Sequence, residues 1–297
     1  MARGMVGFLD WFVDRLSRGK HGLRHQTILK VGLFIVFAFI LMTVLAQYPW
    51  FTPYNPTQYR GAPRLQGPSL HHWMGTDQLL RDVFSRVIAG GKASIIVAFC
   101  AMALSMSIGS TLGWISGFAG GFLDRSLSLI MDAIYSFPSM ILAITLVAMF
   151  GTGIWPMIWA VTFVYIPTYF RVTRAEVLQV RENTYIEAIR ALGASNTRII
   201  LRHVAPNTVN AIMAVSSFNL ADAILTVAAL SFLGFGLPPP APDWGFDIQN
   251  GQKFLQSGSW WLITFPGLMI IVLSLGFGLI GEGISDLVNP KRKRKRI

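Results

Sequence analysis

The chain has 297 residues, of which 53% are hydrophobic and 13% charged, and its formal net charge is +11. A soluble domain carries about a quarter charged residues. The shortfall here falls in long windows with no charge at all, which excludes a soluble enzyme or binding module and implies an all-α integral membrane protein.

Residues 1–27 form a basic arm in which Trp11 and Phe12 sit among Arg15, Arg18, Lys20 and Arg24. This pattern suits an amphipathic helix on the inner membrane surface. A first span is expected at about 28–47. It is long enough to cross and lacks a cleavage pattern, so it is expected to be retained. Tyr48 and Trp50 supply an interfacial belt, and Pro49, Pro53 and Pro56 end the helix.

Residues 48–92 read as an extracytoplasmic loop. Within it, Leu79, Leu80, Val83, Phe84, Val87 and Ile88 form one helical stripe, with polar residues on the other side. Asp77/Arg81 and Asp82/Arg86 are spaced as i,i+4 pairs. The expectation is an interfacial amphipathic helix that starts at Thr76 or Asp77, ends at Gly90-Gly91 and lies flat on the membrane.

Five more spans are expected within residues 93–286, at about 93–115, 126–150, 155–174, 208–236 and 260–283. Ser105, Ser107 and Ser110 lie among small residues of the second span, where close helix approach is a better reading than nucleophilic chemistry. The tail 287–297 holds Lys291 to Arg296, all basic. Directly after an apolar helix, this run reads as a cytoplasmic stop against anionic lipid rather than a nucleic-acid patch. Alternate loops hold nineteen Lys and Arg on one side against six on the other. That asymmetry puts both termini and the 175–207 loop in the cytoplasm.

Chemistry of its own is not expected. Cys100 is the one cysteine, and no H-E-x-x-H occurs, so neither an intrachain disulfide nor a metal site is read. Gly90-Gly91-Lys92 imitates a phosphate loop, but Arg86 stands at its first glycine and Ala93 at its Ser/Thr position. An intramembrane hydrolase lacks paired catalytic groups. An ion-coupled secondary transporter would need inverted repeats and a broken-helix midplane site, and no repeat is visible. Inside the spans, Asp132 and Asp222 are the deep acids. Such groups are functional candidates by default. Asp132 precedes Phe137-Pro138, where a kink gives it a structural reading. Asp222 reads as part of a polar wall inside the bundle, contacting a cationic group, or as an interhelical partner of Asn219 or of a second membrane subunit.

Residues 175–207 are longer than the two to eight residues a connector needs. They read as a helix ending at Gly193 in a left-handed cap, a second short helix starting at Ser195 or Asn196, and a break at Pro206. Glu187, Ala188, Gly193 and Pro206 stand at the spacing of the EAA motif, with Ile189 and Ala205 as departures, and His203 and Asn207 complete an H-x-x-P-N form. The chain thus resembles the ABC-importer inner-membrane permeases of the dipeptide, oligopeptide and nickel subfamily. Residues 75–86, 230–245, 265–268 and 281–290 match it too and point to the C-type partner. Trp73 and Leu80 replace that family's usual Pro and Gly, which implies local packing changes.

The resemblance implies a type I ABC-importer permease fold of six transmembrane helices. It makes Glu187, Ala188, Arg190, Gly193, Ala194, Ser195 and Pro206 the ATPase-coupling loop. By their depth in the fifth span, Asp222 and Asn219 are the candidate pathway residues. The resemblance also implies a second, homologous B-type permease, two cytoplasmic ATPases that bind ATP and Mg, an extracytoplasmic solute-binding protein, and peptide cargo, with nickel chelates or oligosaccharides as alternatives.

Overall fold

The computed structural model describes residues 23–48, 50–58 and 63–288, with side chains from residue 27 to 286. Residues 1–22 of the expected basic arm and 289–297 of the expected basic tail lie outside the described residues, and 23–27 belong to the first helix. Within them the chain is helical and forms no strand; Thr76 and Asp82 make one isolated bridge.

Helix α1 spans Leu23–Leu45. Helix α2 spans Val83–Ala119, 37 residues, which at 1.5 Å per residue is about 55 Å. Helices α3 (Gly121–Tyr135) and α4 (Ser139–Phe150) follow, bent by 90° at their junction. Helix α5 spans Ile154–Arg181. Two short helices, α6 (Thr184–Ala191) and α7 (Asn196–Ile199), lead through a wide π-type turn at Ile200–Val204 into α8 (Ala205–Leu230). A second such turn, Ser231–Phe235, precedes α9 (Trp244–Gly251) and α10 (Trp261–Val288).

Among the described residues, four helices are long and apolar enough to cross a membrane, and the bent pair α3–α4 raises the number to five. Helix α5 is not among them. Its Pro167, tyrosines and arginines lower its hydropathy, yet Met157, Val161, Tyr169 and Phe170 are almost wholly buried in the bundle.

The bundle closes through glycines. Gly109, Gly113 and Gly117 lie four apart on one face of α2. An added Cβ would meet the Ile166 carbonyl at 2.6 Å, the Phe170 carbonyl at 2.8 Å and the Val177 Cβ at 2.9 Å, respectively. This face lets α2 and α5 run backbone to backbone, as small residues do between membrane helices. Ser105 extends it, its Oγ donating to the Thr162 carbonyl at 3.0 Å. Helices α1 and α10 use the same device: a Cβ on Gly32 would meet the Gly276 carbonyl at 2.8 Å, and one on Gly283 the Leu29 Cβ at 2.7 Å.

Three expectations are corrected. The separate amphipathic helix over 75–91 does not form. Residues 75–82 are irregular, and α2 starts at Val83, capped by Asp82, whose carboxylate accepts the Ser85 N–H at 2.8 Å. Gly90 and Gly91 do not end a helix. They seat Trp244, whose indole would lie 3.0 and 2.8 Å from a Cβ on each. Two mid-helix glycines cost about 1 kcal/mol each relative to alanine, which burial of Trp244 offsets. Second, the kink expected at Phe137-Pro138 is a full break: α3 and α4 meet at 90° across Ser136–Pro138, because Pro138 cannot continue the hydrogen-bond ladder. Third, Pro206 does not break the chain's helix. It stands in the first turn of α8, just after the π-type turn, where its missing N–H is tolerated.

Replacing Gly113 by leucine should destabilise the detergent-solubilised protein by about 1–3 kcal/mol, as overpacking does. The same measurement on Gly278→Ala, where an added Cβ meets nothing within 4 Å, should show little change. Equal melting curves for the two variants would contradict the close α2–α5 seam.

Candidate functional site

The loop end of the bundle, around residues 50–82 and 231–260, is a buried polar knot. Arg86, 2% exposed, pairs with Asp247 at 2.7 Å and donates to the carbonyls of Pro56 at 2.8 Å and Pro240 at 3.2 Å. Burial raises the Asp247 carboxyl above the ordinary carboxylate range, and Arg86 opposes that rise. Asp77 accepts the N–H groups of Leu79 and Arg81 at 2.8 and 2.9 Å and the Arg81 Nε at 2.6 Å. The expected Asp82/Arg86 pair is absent; Asp82 caps α2 and meets His72 Nδ1 at 2.9 Å. Trp244 donates from its indole to the Val87 carbonyl at 2.7 Å, and Trp261 to the Thr76 carbonyl at 3.1 Å. The two sequence blocks 75–86 and 230–245 are therefore halves of one structural clasp.

Leu80 has φ +59. Its replacement of glycine is a backbone matter rather than a packing change. A branched residue in this region bears a cost of about 1–2 kcal/mol.

At the opposite end, α6 and α7 form a knob. Ile186, Ile199 and Val204 make its core with Phe118 of α2 and Val177 of α5. Gly193 has φ +83; its N–H donates to the Arg190 carbonyl at 3.0 Å, and the Ala194 N–H to the Ile189 carbonyl at 3.3 Å. This is the Schellman arrangement, for which glycine is suited. Ser195 Oγ accepts the Arg198 N–H at 3.4 Å and starts α7. Glu187 and Ala188 are exposed, Glu187 in the first turn of α6 where its charge complements the helix dipole. The exposed Arg190 lies over the Phe118 ring at 5.4 Å, and Ala194 is half-buried. Pro206 is exposed at the start of α8. Sequence reasoning missed the apolar tip, where Leu192 is 86% and Leu201 63% exposed. Leu201 ends the apolar run Ile199-Ile200-Leu201, whose first two residues pack into the knob core, so no local signal marked it.

The knob is bolted to the bundle. Arg174 makes two bonds to Asp124, at 2.6 and 2.7 Å, and Ser116 donates to the same carboxylate. Arg181 donates to the Gly117 carbonyl at 2.8 Å, and the Trp114 indole to Thr208 at 2.9 Å. Asn207 reaches the Tyr185 hydroxyl at 3.3 Å and the His203 carbonyl at 2.5 Å.

Of the two deep acids, Asp132 pairs with Arg171 at 2.7 Å, on the exposed side of the α3–α4 bend. Arg171 also covers the Tyr135 ring at 3.9 Å. Asp222 accepts the Tyr165 hydroxyl at 2.5 Å, so its interhelical partner in this chain is Tyr165 and not Asn219. The Asn219 amide nitrogen is buried without a hydrogen-bond partner.

Comparison with known proteins agrees with this architecture. Residues 109–294 match the family described as binding-protein-dependent transport system inner membrane component, and residues 21–68 match the N-terminal TM domain of oligopeptide transport permease C. The chain belongs to this family of multi-pass inner-membrane permeases. It is 38% identical to a dipeptide transport system permease protein of Alkalihalophilus pseudofirmus over 91% of this chain and 88% of the relative. It is 36% identical to a glutathione transport system permease protein of Pectobacterium atrosepticum, over 91% and 89%. A chain of the inward-facing MetNI methionine ABC transporter superposes with a TM-score of 0.56 at 17% identity, covering 69% of this chain and 97% of that one. This last likeness concerns the fold alone.

Arg86→Ala should destabilise the protein by about 3–5 kcal/mol, because Asp247 is left buried and unpaired. The double variant Arg86→Met, Asp247→Leu should recover most of that loss in the same thermal melt. Leu80→Gly should raise stability by roughly 0.5–1 kcal/mol, the relief of the left-handed backbone less the entropy of the freer unfolded glycine.

Proposed function

We propose that this chain is one of two membrane subunits of a peptide importer, driven by ATP hydrolysis in other chains. The relatives named as dipeptide and glutathione permeases support peptide as cargo. The chain would cross six times, through α1, α2, the bent α3–α4 pair, α5, α8 and α10. The cation-rich side, with both termini and the knob, would face the cytoplasm. A homologous B-type permease would complete the path, a solute-binding protein would deliver cargo at the clasp end, and two ATPases would hold ATP and Mg. This subunit would catalyse nothing itself.

The observation that carries the reading is the knob. A helix of eight residues, closed by Gly193 and reopened by Ser195, presents Glu187 and an apolar tip to solvent while its core is shared with α2 and α5. An apolar tip on a stiff polar mount suits a protein groove better than water or lipid. Closure of an ATPase pair pushes the mount, and α5 carries the displacement into the bundle because its seam with α2 contains little compressible side chain. Asp222 and Tyr165 would then line the path that opens and closes.

Purification of the complex should bring down the ATPases, and Leu192→Glu should weaken their capture by tenfold or more, since a hydrophobic anchor in a groove carries roughly 2 kcal/mol. Gly193→Val should cut ATP-driven uptake by at least tenfold while the melting curve of the membrane core stays within a degree or two. Uptake unaffected by both changes would overturn the role given to the knob.

A further inference from the structure

Charge pairing sets Asp222 apart from the other aspartates between residues 77 and 247. Asp77, Asp124, Asp132 and Asp247 each have an arginine, at 2.6, 2.6, 2.7 and 2.7 Å. Asp82 and Asp243 are held at helix starts, where they accept the N–H groups of Ser85 and Phe246. Asp222 lies 17 residues after Ala205 in the 26-residue α8, inside the span Asn196–Phe235, and is exposed in the isolated chain. Among the described residues its partner is a neutral phenol, the Tyr165 hydroxyl, which is held in turn 3.4 Å from Thr226 Oγ1. A carboxylate at such depth is costly, and such groups face a cavity or a partner rather than lipid.

Tyr165 occupies one carboxylate oxygen, Oδ2, and fixes the plane of the group. No described residue places a cation on the other oxygen, which is left for one from outside. The patch is thus short of one cation. A primary ammonium, the start of any peptide with a free amino terminus, supplies it. We propose that Asp222, oriented by Tyr165, is the point on this chain that receives the ammonium group of the transported solute as it crosses. Tyr165 is a positioning residue, and the acid contributes specificity for cationic over anionic ends. This inference rests on the peptide-importer reading and names the chemistry of its path.

The test uses the assembled complex in proteoliposomes, with Cys100→Ser as background because Cys100 is exposed. Asp222→Cys is treated with methanethiosulfonates that add a sulfonate, a methyl or an ammonium group, and ATP-driven uptake of a dipeptide with a free amino terminus is measured. The sulfonate adduct should retain uptake within about twofold of the Cys100→Ser complex. The ammonium adduct should lose at least tenfold, about 1.4 kcal/mol, and the methyl adduct should fall between. Uptake independent of adduct charge would overturn the proposal, since a purely interhelical bond to Tyr165 has no reason to follow that order. So would an introduced thiol that reacts only after the complex is unfolded, which would place position 222 in a sealed subunit contact. Should Asp222→Cys fail to assemble, Asp222→Glu is expected to import and Asp222→Asn to lose at least tenfold; equal import by both refutes the assignment. A Cys100→Ser complex that imports no peptide with ATP would instead refute the importer reading, and the site with it.

Discussion

The seam between α2 and α5 is the constraint on which the other features depend. Gly109, Gly113 and Gly117 remove side chains from one face, so the two backbones define each other's position with little slack. Lipid gives no hydrophobic force to hold helices together, and close packing has to replace it. Every functional feature hangs from this pair. The clasp sits at the start of α2, Tyr165 points from the middle of α5, and the knob shares Phe118 and Val177 from the far ends of both helices.

This arrangement explains why polar groups are spent so unevenly. The two ends of the α2–α5 pair are fixed by ion pairs and capped turns: Arg86–Asp247 at the clasp, Arg174–Asp124 at the knob. Breaking the buried Arg86–Asp247 pair is expensive even where forming it contributes little net stability. The use of both pairs is geometric. They keep the loops and the knob at set angles to a helix pair that can then move as a unit. Among the described residues, no ion pair locks the bundle around Asp222 in the same way.

Much of this was legible in the sequence. Charge-free windows gave the membrane class, Gly193 gave the left-handed cap, and Ser195 gave the restart of the helix, because each depends on local chemistry alone. The amphipathic stripe at 79–88 misled for a definite reason. Its period is helical from Val83 onward, but the preceding residues are held by Asp77 and by the carbonyl of Thr76 on Trp261, a partner 185 residues away. The same distance hid the purpose of Gly90 and Gly91. Next to one another they look like a stop signal, and only Trp244 reveals them as a socket. The left-handed Leu80 was equally invisible, since a leucine carries no mark of its φ.

Asp222 illustrates the remaining gap. Sequence alone identifies an acid at depth and cannot tell a structural bond from a vacant one. Three-dimensional placement supplies the partner, Tyr165, and with it a distinction between the two deep acids. Asp132 is neutralised by Arg171 within its own chain, so substrate charge is irrelevant to it. Asp222 is hydrogen-bonded and no described residue neutralises it, so its energy depends on what stands opposite. A permease that must release its cargo cannot bind it tightly, and a single half-occupied carboxylate offers a weak, charge-selective contact suited to that demand. Strengthening the site with a second acid would favour a bound state over passage, which is a physical reason for one acid, oriented by a neutral hydroxyl, at this position.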